Sequence, residues 1–121
     1  MTAPTTKLVL CICKDLKMSK GKVLAQCTHA SLGATRSART ELQLQRLKEW
    51  ESNPARRVVS LKVEQKELLK IEEILASKDI NFYTQVDLGL TQVPPNTKTV
   101  LAIGPDQDEI LQPIIGHLKL Y

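Results

Sequence analysis

Aromatic side chains are almost missing from this 121-residue chain, which has only Trp50, Phe82, Tyr83 and Tyr121. A protein that grips single-stranded nucleic acid by stacking bases on rings needs more, so any RNA recognition must rest mainly on phosphate contacts. Cysteine is scarce and odd in number. Cys11, Cys13 and Cys27 form no C-x-x-C pair and have no second ligand pair, which excludes a disulfide framework and offers zinc no site. Cys11 and Cys13 share one face of a strand and read as buried thiols, which makes a thiol redox role remote. No apolar run approaches the roughly 18 residues of a membrane span. The opening MTAPTT is too short and too polar for a secretory leader, so the expected home is the cytoplasm, with no membrane partner. G-x-S-x-G is absent and no cysteine has an evident histidine partner, so a covalent nucleophile is not indicated.

What is present suits one domain: residues 1–6 as a flexible polar leader and residues 7–121 as a unit whose 42% hydrophobic content can bury a single core. The net charge of +4 is unevenly spread. Residues 1–62 hold 12 Lys or Arg against 4 Asp or Glu, whereas residues 63–121 hold 5 against 9. That asymmetry fits a face for a polyanion such as nucleic acid, and equally a solvated basic surface.

Periodicity divides the chain into alternating elements. Leu8–Cys13 is an unbroken run of β-formers, as in a strand buried on both faces, and residues 20–36 have helical spacing rich in small side chains. A second helix carries Leu42, Leu44, Leu47 and Trp50, with Thr40 and Gln43 at capping-box spacing and a break at Ser52-Asn53-Pro54. Residues 57–63 read as a second strand and 64–77 as a helix with Leu68, Leu69, Ile71 and Leu75 inward. Residues 80–86 and 97–103 read as third and fourth strands around a two-proline loop, and Gly104-Pro105-Asp106 as the opening of a last helix. The pattern predicts an α/β fold: a three-layer helix/mixed β-sheet/helix sandwich of about four strands in one domain. Connections through helices imply parallel crossovers, and the loop between the last two strands allows an antiparallel pair.

Chemistry gathers after the first strand. Lys14, Lys17, Lys20 and Lys22 surround the start of the first helix, where unsatisfied backbone N–H groups favour anions. A lysine in a first helical turn is unfavourable without an anion, so Lys22 and its neighbours suggest a phosphate-bearing ligand. Lys22, Gln26 and His29 stand at i, i+4 and i+7 on one stripe.

Three separated motifs are specific enough to point to a family: D-L-K-M-S-K-G-K-V-L-A-Q-C-T-H-A from Asp15, D-L-G-L-T-Q-V-P-P-N-T from Asp87, and T-V-L-A-I-G-P…G-H-L-K-L from Thr99. Over residues 7–121 the chain resembles the archaeal and eukaryotic (type 2) peptidyl-tRNA hydrolases. The resemblance implies hydrolysis of the ester between a peptide and the terminal ribose of tRNA, with no metal and no cofactor. Its partner would be the acceptor end of peptidyl-tRNA, and a homodimer would be one available assembly. It also implies Lys22, Asp87, Thr91 and Thr99 as catalytic residues, and Lys17, Lys20, Gln26 and His29 as substrate contacts. Lys22 can meet the oxyanion or a terminal phosphate, Asp87 can orient the attacking water or hold Lys22, and the threonine hydroxyls can donate and accept hydrogen bonds. For Asp87 to act as a base, burial would have to raise its pKa, and a neighbouring Lys22 would oppose that rise. His117 reads as structural.

The second motif departs from the family's usual D-A-G-R-T-Q-I-A-P-G. Leu88 and Leu90 replace an alanine and a basic residue, and Asn96 replaces a glycine that asparagine can mimic in the left-handed conformation. The missing charge at Leu90 would take a phosphate contact with it and lower the salt slope by about one unit. The competing reading keeps the fold but drops catalysis, leaving a tRNA-binding or protein-interaction module.

Overall fold

A computed structural model describes residues 5–89 and 92–121. Its elements follow the order β1 (Thr6–Cys13), α1 (Lys20–Ser37), α2 (Glu41–Ser52), β2 (Val58–Val63), α3 (Gln65–Ala76), β3 (Phe82–Asp87), β4 (Thr97–Gln107) and α4 (Asp108–Ile115). The four strands form one mixed sheet in the order β2-β1-β4-β3, with β1 parallel to β2 and antiparallel to β4, and β3 antiparallel to β4.

The layers follow from side-chain alternation along central strands covered on both faces. Val9, Cys11 and Cys13 of β1, with Leu101 and Ile103 of β4, pack against Leu68, Ile71 and Leu75 of α3 and Leu111, Ile114 and Ile115 of α4. Leu8, Leu10 and Ile12, with Val100 and Ala102, face Val23, Ala30 and Ala34 of α1 and Trp50 of α2. The small residues of α1 let the helix lie close to the sheet. Gly33 sits directly under Tyr83 of β3, and a Cβ there would run into the ring. Burial pushes the Cys11 and Cys13 thiols up to about 12, so both stay protonated within the core.

Four local expectations are corrected. The helix at Gly104-Pro105-Asp106 is instead the end of β4, and α4 begins at Asp108. Pairing of Lys7 with Asp106 and Thr6 with Gln107 keeps this segment extended, and Pro105 falls at the register shift between Lys7 and Val9, where a missing N–H costs the ladder least. Thr6 opens β1, so the sheet begins within the span expected as leader. Leu69 is 48% exposed because Leu68, Ile71 and Leu75 already define the inward stripe of α3 and Leu69 lies one 100° step around it. At α2, Thr40 Oγ1 caps the Gln43 N–H as expected, but Gln43 Oε1 accepts from Arg39 N–H rather than closing the box on Thr40.

Candidate active site

Because β1 and β3 each run antiparallel to β4, they run parallel to one another, and the carboxyl ends of β1, β2 and β3 lie on the same side of the molecule. Open α/β sheets bind ligands outside such ends. Asp87 is the last residue of β3, and Lys22 lies in the first turn of α1, which follows β1. They meet as an ion pair, Lys22 Nζ donating to Asp87 Oδ1, with side chains only 9% and 6% exposed. Asp87 Oδ2 accepts the backbone N–H of Gly89 at 2.8 Å. The hydrogen bond from Lys22 holds the Asp87 carboxyl below the usual carboxylate range; burial pulls the other way, and the Gly89 N–H adds to the lowering.

The loop that leaves Asp87 returns to it. Asn96, at φ 64°, occupies the left-handed region expected of it and donates its backbone N–H to the carbonyl of Asp87 at 2.7 Å. Gly89 has φ +80°, and a Cβ there would lie 2.6 Å from Pro95 Cα, so glycine is needed twice over. Gln92 reaches across to accept the N–H of Ser19 at 2.7 Å, and Ser19 Oγ in turn caps the N–H of Lys22 at 3.2 Å. Part of the donor set expected for an anion therefore serves to fix the start of α1.

Next to this pair along α1, Gln26 and Thr99 are both buried, with Thr99 Oγ1 donating to Gln26 Oε1. The placement of Thr99 depends on a β-bulge. Val100 pairs with Gln85 and Lys98 with Val86, so Thr99 is an extra residue in β4. Uninterrupted alternation from Leu101 would turn Thr99 toward α3, yet it faces α1 beside Val100, while Lys98 points to Glu72 of α3.

The remaining nominated residues are dispersed around the pair. His29 is exposed and lines a groove of about 400 Å³ between α1 and β3, together with Gly33, Arg36, Tyr83, Gln85 and Leu88. Lys17 borders an open recess with Met18, Ser19 and Gln92, and Lys20 is exposed at the first position of α1. Thr91 and Leu90 lie outside the described residues. Gly89 and Gln92 join the site without being singled out by the sequence. Their signal was their place inside the motif that starts at Asp87, but only the folded loop shows which group each one meets. Among the described residues no cluster of three or more His, Cys, Asp or Glu is placed to hold a metal ion.

These features define an α/β protein with a buried lysine–aspartate pair, held by backbone and loop contacts, at the carboxyl end of a mixed sheet. Comparison with known proteins makes the class specific. Residues 6–121 match the family described as Peptidyl-tRNA hydrolase PTH2, and the chain belongs to that family. It is 40% identical over 114 residues to the peptidyl-tRNA hydrolase of Methanothermobacter thermautotrophicus, covering 94% of this chain and 98% of that one. It is 37% identical over 115 residues to the mitochondrial peptidyl-tRNA hydrolase 2 of Mus musculus, covering 95% of this chain. The corresponding human protein is 36% identical over 120 residues. The chain spans 63% of the mouse relative and 64% of the human one. Among the described residues no helix is long and apolar enough to cross a membrane.

Proposed function

We propose that this protein hydrolyses the ester bond of peptidyl-tRNA, releasing peptide and free tRNA, and that Lys22 and Asp87 are the centre of its site. The observation that carries the reading is the desolvated Lys22–Asp87 pair at the carboxyl end of β3, in a chain whose relatives are named for this activity over nearly its whole length. Ester hydrolysis requires a placed water, positive charge at the developing oxyanion and a proton for the leaving ribose oxygen. Lys22 supplies the charge. A carboxyl held low by its lysine is a poor proton acceptor at neutral pH, which supports Asp87 as the group that positions water and Lys22 rather than as the base. Thr99 and Gln26 support the floor beside them, and Thr91 is assigned to the site on the strength of the family motif alone. Lys17, Lys20 and the basic N-terminal half are assigned to the phosphates of the acceptor end, and His29 to the groove next to Asp87. The compartment proposed is the cytoplasm, where ribosomes release such substrates.

The test is release of N-acetyl-aminoacyl groups from tRNA in the presence of EDTA by the wild type, Lys22→Ala and Asp87→Ala, with tRNA binding measured in parallel. Folded variants should lose about 10² or more in kcat/KM, the scale of losing an oxyanion donor. A wild type that binds tRNA and hydrolyses nothing would return the chain to the binding-module reading.

A further inference from the structure

The two edges of the sheet are treated differently. The outer side of β2 is closed by the chain's own end: Lys62 N–H donates to the carbonyl of Lys119 at 2.8 Å, and Tyr121 N–H to that of Ser60 at 3.0 Å. The other edge is β3, which pairs only with β4 among the described residues. Within β3 the carbonyl of Gln85 accepts from Thr99 Oγ1, and those of the flanking Asn81 and Asp87 accept from Gly104 N–H and Asn96 N–H. Odd-numbered residues thus turn their backbone groups inward, and strand alternation turns those of Phe82, Thr84 and Val86 outward. Among the described residues the Val86 carbonyl is met by a local substitute, the side-chain amide of Gln85 at 3.1 Å. The run Phe82-Tyr83-Thr84-Gln85-Val86 contains no lysine and no proline, two devices by which exposed edges refuse a partner.

This open edge ends at Asp87. Resting on the hydrolase reading above, we propose that β3 binds the peptide portion of the substrate by strand addition. Its C-terminal residue lies at the Lys22–Asp87 pair, and the preceding residues run back along Val86, Thr84 and Phe82. That direction makes the added strand parallel to β3. The argument is chemical as well as geometric. Peptides released early have no common sequence, and their one constant feature is the backbone, which strand addition reads while leaving side chains free. The groove between α1 and β3 gives alternate peptide side chains room beside the edge, against Leu32, Tyr83 and Leu88, of which Leu88 is 73% exposed. From Phe82 to Val86 the edge spans about 13 Å, enough for about four peptide residues.

Three substrates on one tRNA test this: N-acetyl-alanyl, N-acetyl-tetraalanyl, and the tetrapeptide with N-methylalanine at its first three positions. The tetrapeptide should be hydrolysed with kcat/KM about tenfold above the single residue, as expected of a few backbone hydrogen bonds, with no further gain beyond about four residues. N-methylation should abolish the gain without altering the protein. Thr84→Pro, checked for folding by circular dichroism, should bring the ratio of tetrapeptide to single residue toward one. Equal rates for all three substrates would overturn strand addition while leaving the hydrolase reading intact. No hydrolysis of any would overturn both. A dimer in sedimentation that Thr84→Pro dissolves would give the edge to a second copy and also overturn the proposal.

Discussion

Gly89 gives its backbone N–H to Oδ2 of Asp87 at 2.8 Å, which leaves Oδ1 to Lys22. Each carboxylate oxygen therefore has one anchor and keeps a lone pair for water, and the carboxylate plane is set by a residue that only glycine can supply at φ +80°. Gly89→Ala should strain the turn against Pro95, cost more than about 1 kcal/mol of stability, and release Asp87 from one of its two anchors. The expected result is a kcat about tenfold lower with KM nearly unchanged, measured on N-acetyl-aminoacyl-tRNA together with a urea titration.

The pH dependence follows from the direction of the Asp87 shift. A carboxyl lowered on folding stabilises the native state above its unfolded value, here about 3.8, and that contribution is lost as the pH falls through the still lower folded value. The stability difference between wild type and Asp87→Asn should therefore be constant from neutral pH down to about 4 and shrink below it, as read by denaturant titrations at several pH values. By the same sign, Asp87 should contribute no acid limb to kcat/KM between pH 7 and 5.

Thr99→Val keeps the shape of the side chain and removes the hydroxyl that Gln26 Oε1 accepts. A buried acceptor left without its donor costs about 1–3 kcal/mol. The thermal midpoint should drop accordingly, and replacing Gln26 by Leu in the same protein should recover part of the loss. If Thr99 only shapes the floor, this double variant keeps activity; if its hydroxyl acts on the substrate, both variants lose kcat.

A second buried carboxylate anchors α2 to the sheet. Asp106 Oδ1 accepts from Arg46 Nε at 3.2 Å and from the N–H of Gln107 at 2.7 Å, and burial raises its pKa against the pull of both. Arg46→Met should strand this charge and destabilise the protein by about 3 kcal/mol at neutral pH. A raised carboxyl costs stability above its folded pKa and is relieved as the pH falls through it. The penalty should therefore shrink on acidification, as comparison of denaturant midpoints at pH 7 and pH 4 will show.

Part of the site was legible in local chemistry and part only through the family motifs. A lysine in a first helical turn calls for an anion, but spacing alone names a phosphate as readily as a carboxylate, and Asp87 is marked as its partner by the resemblance of the motif that starts there. Gln26 and Thr99 could be nominated, but not as partners, because their contact needs the bulge that turns Thr99 toward α1. His29 shares the stripe of Lys22 and Gln26, yet α1 carries it past the pair and into the groove beside Tyr83.

The order of the elements, the double-sided burial of β1 and the cap at Thr40 could be read from the chain alone, and the cap at Ser19 acts over an equally short range. Hydrophobic period and side-chain capping act over a few residues and need no distant partner. That Gly104-Pro105-Asp106 stays extended, that Leu69 faces out, that Thr99 faces α1 and that β3 is the open edge emerges from the folded chain. Each of these depends on the register one strand takes against another, or on what covers it. Such registers are chosen by contacts between segments far apart in the chain, where local preference carries no information.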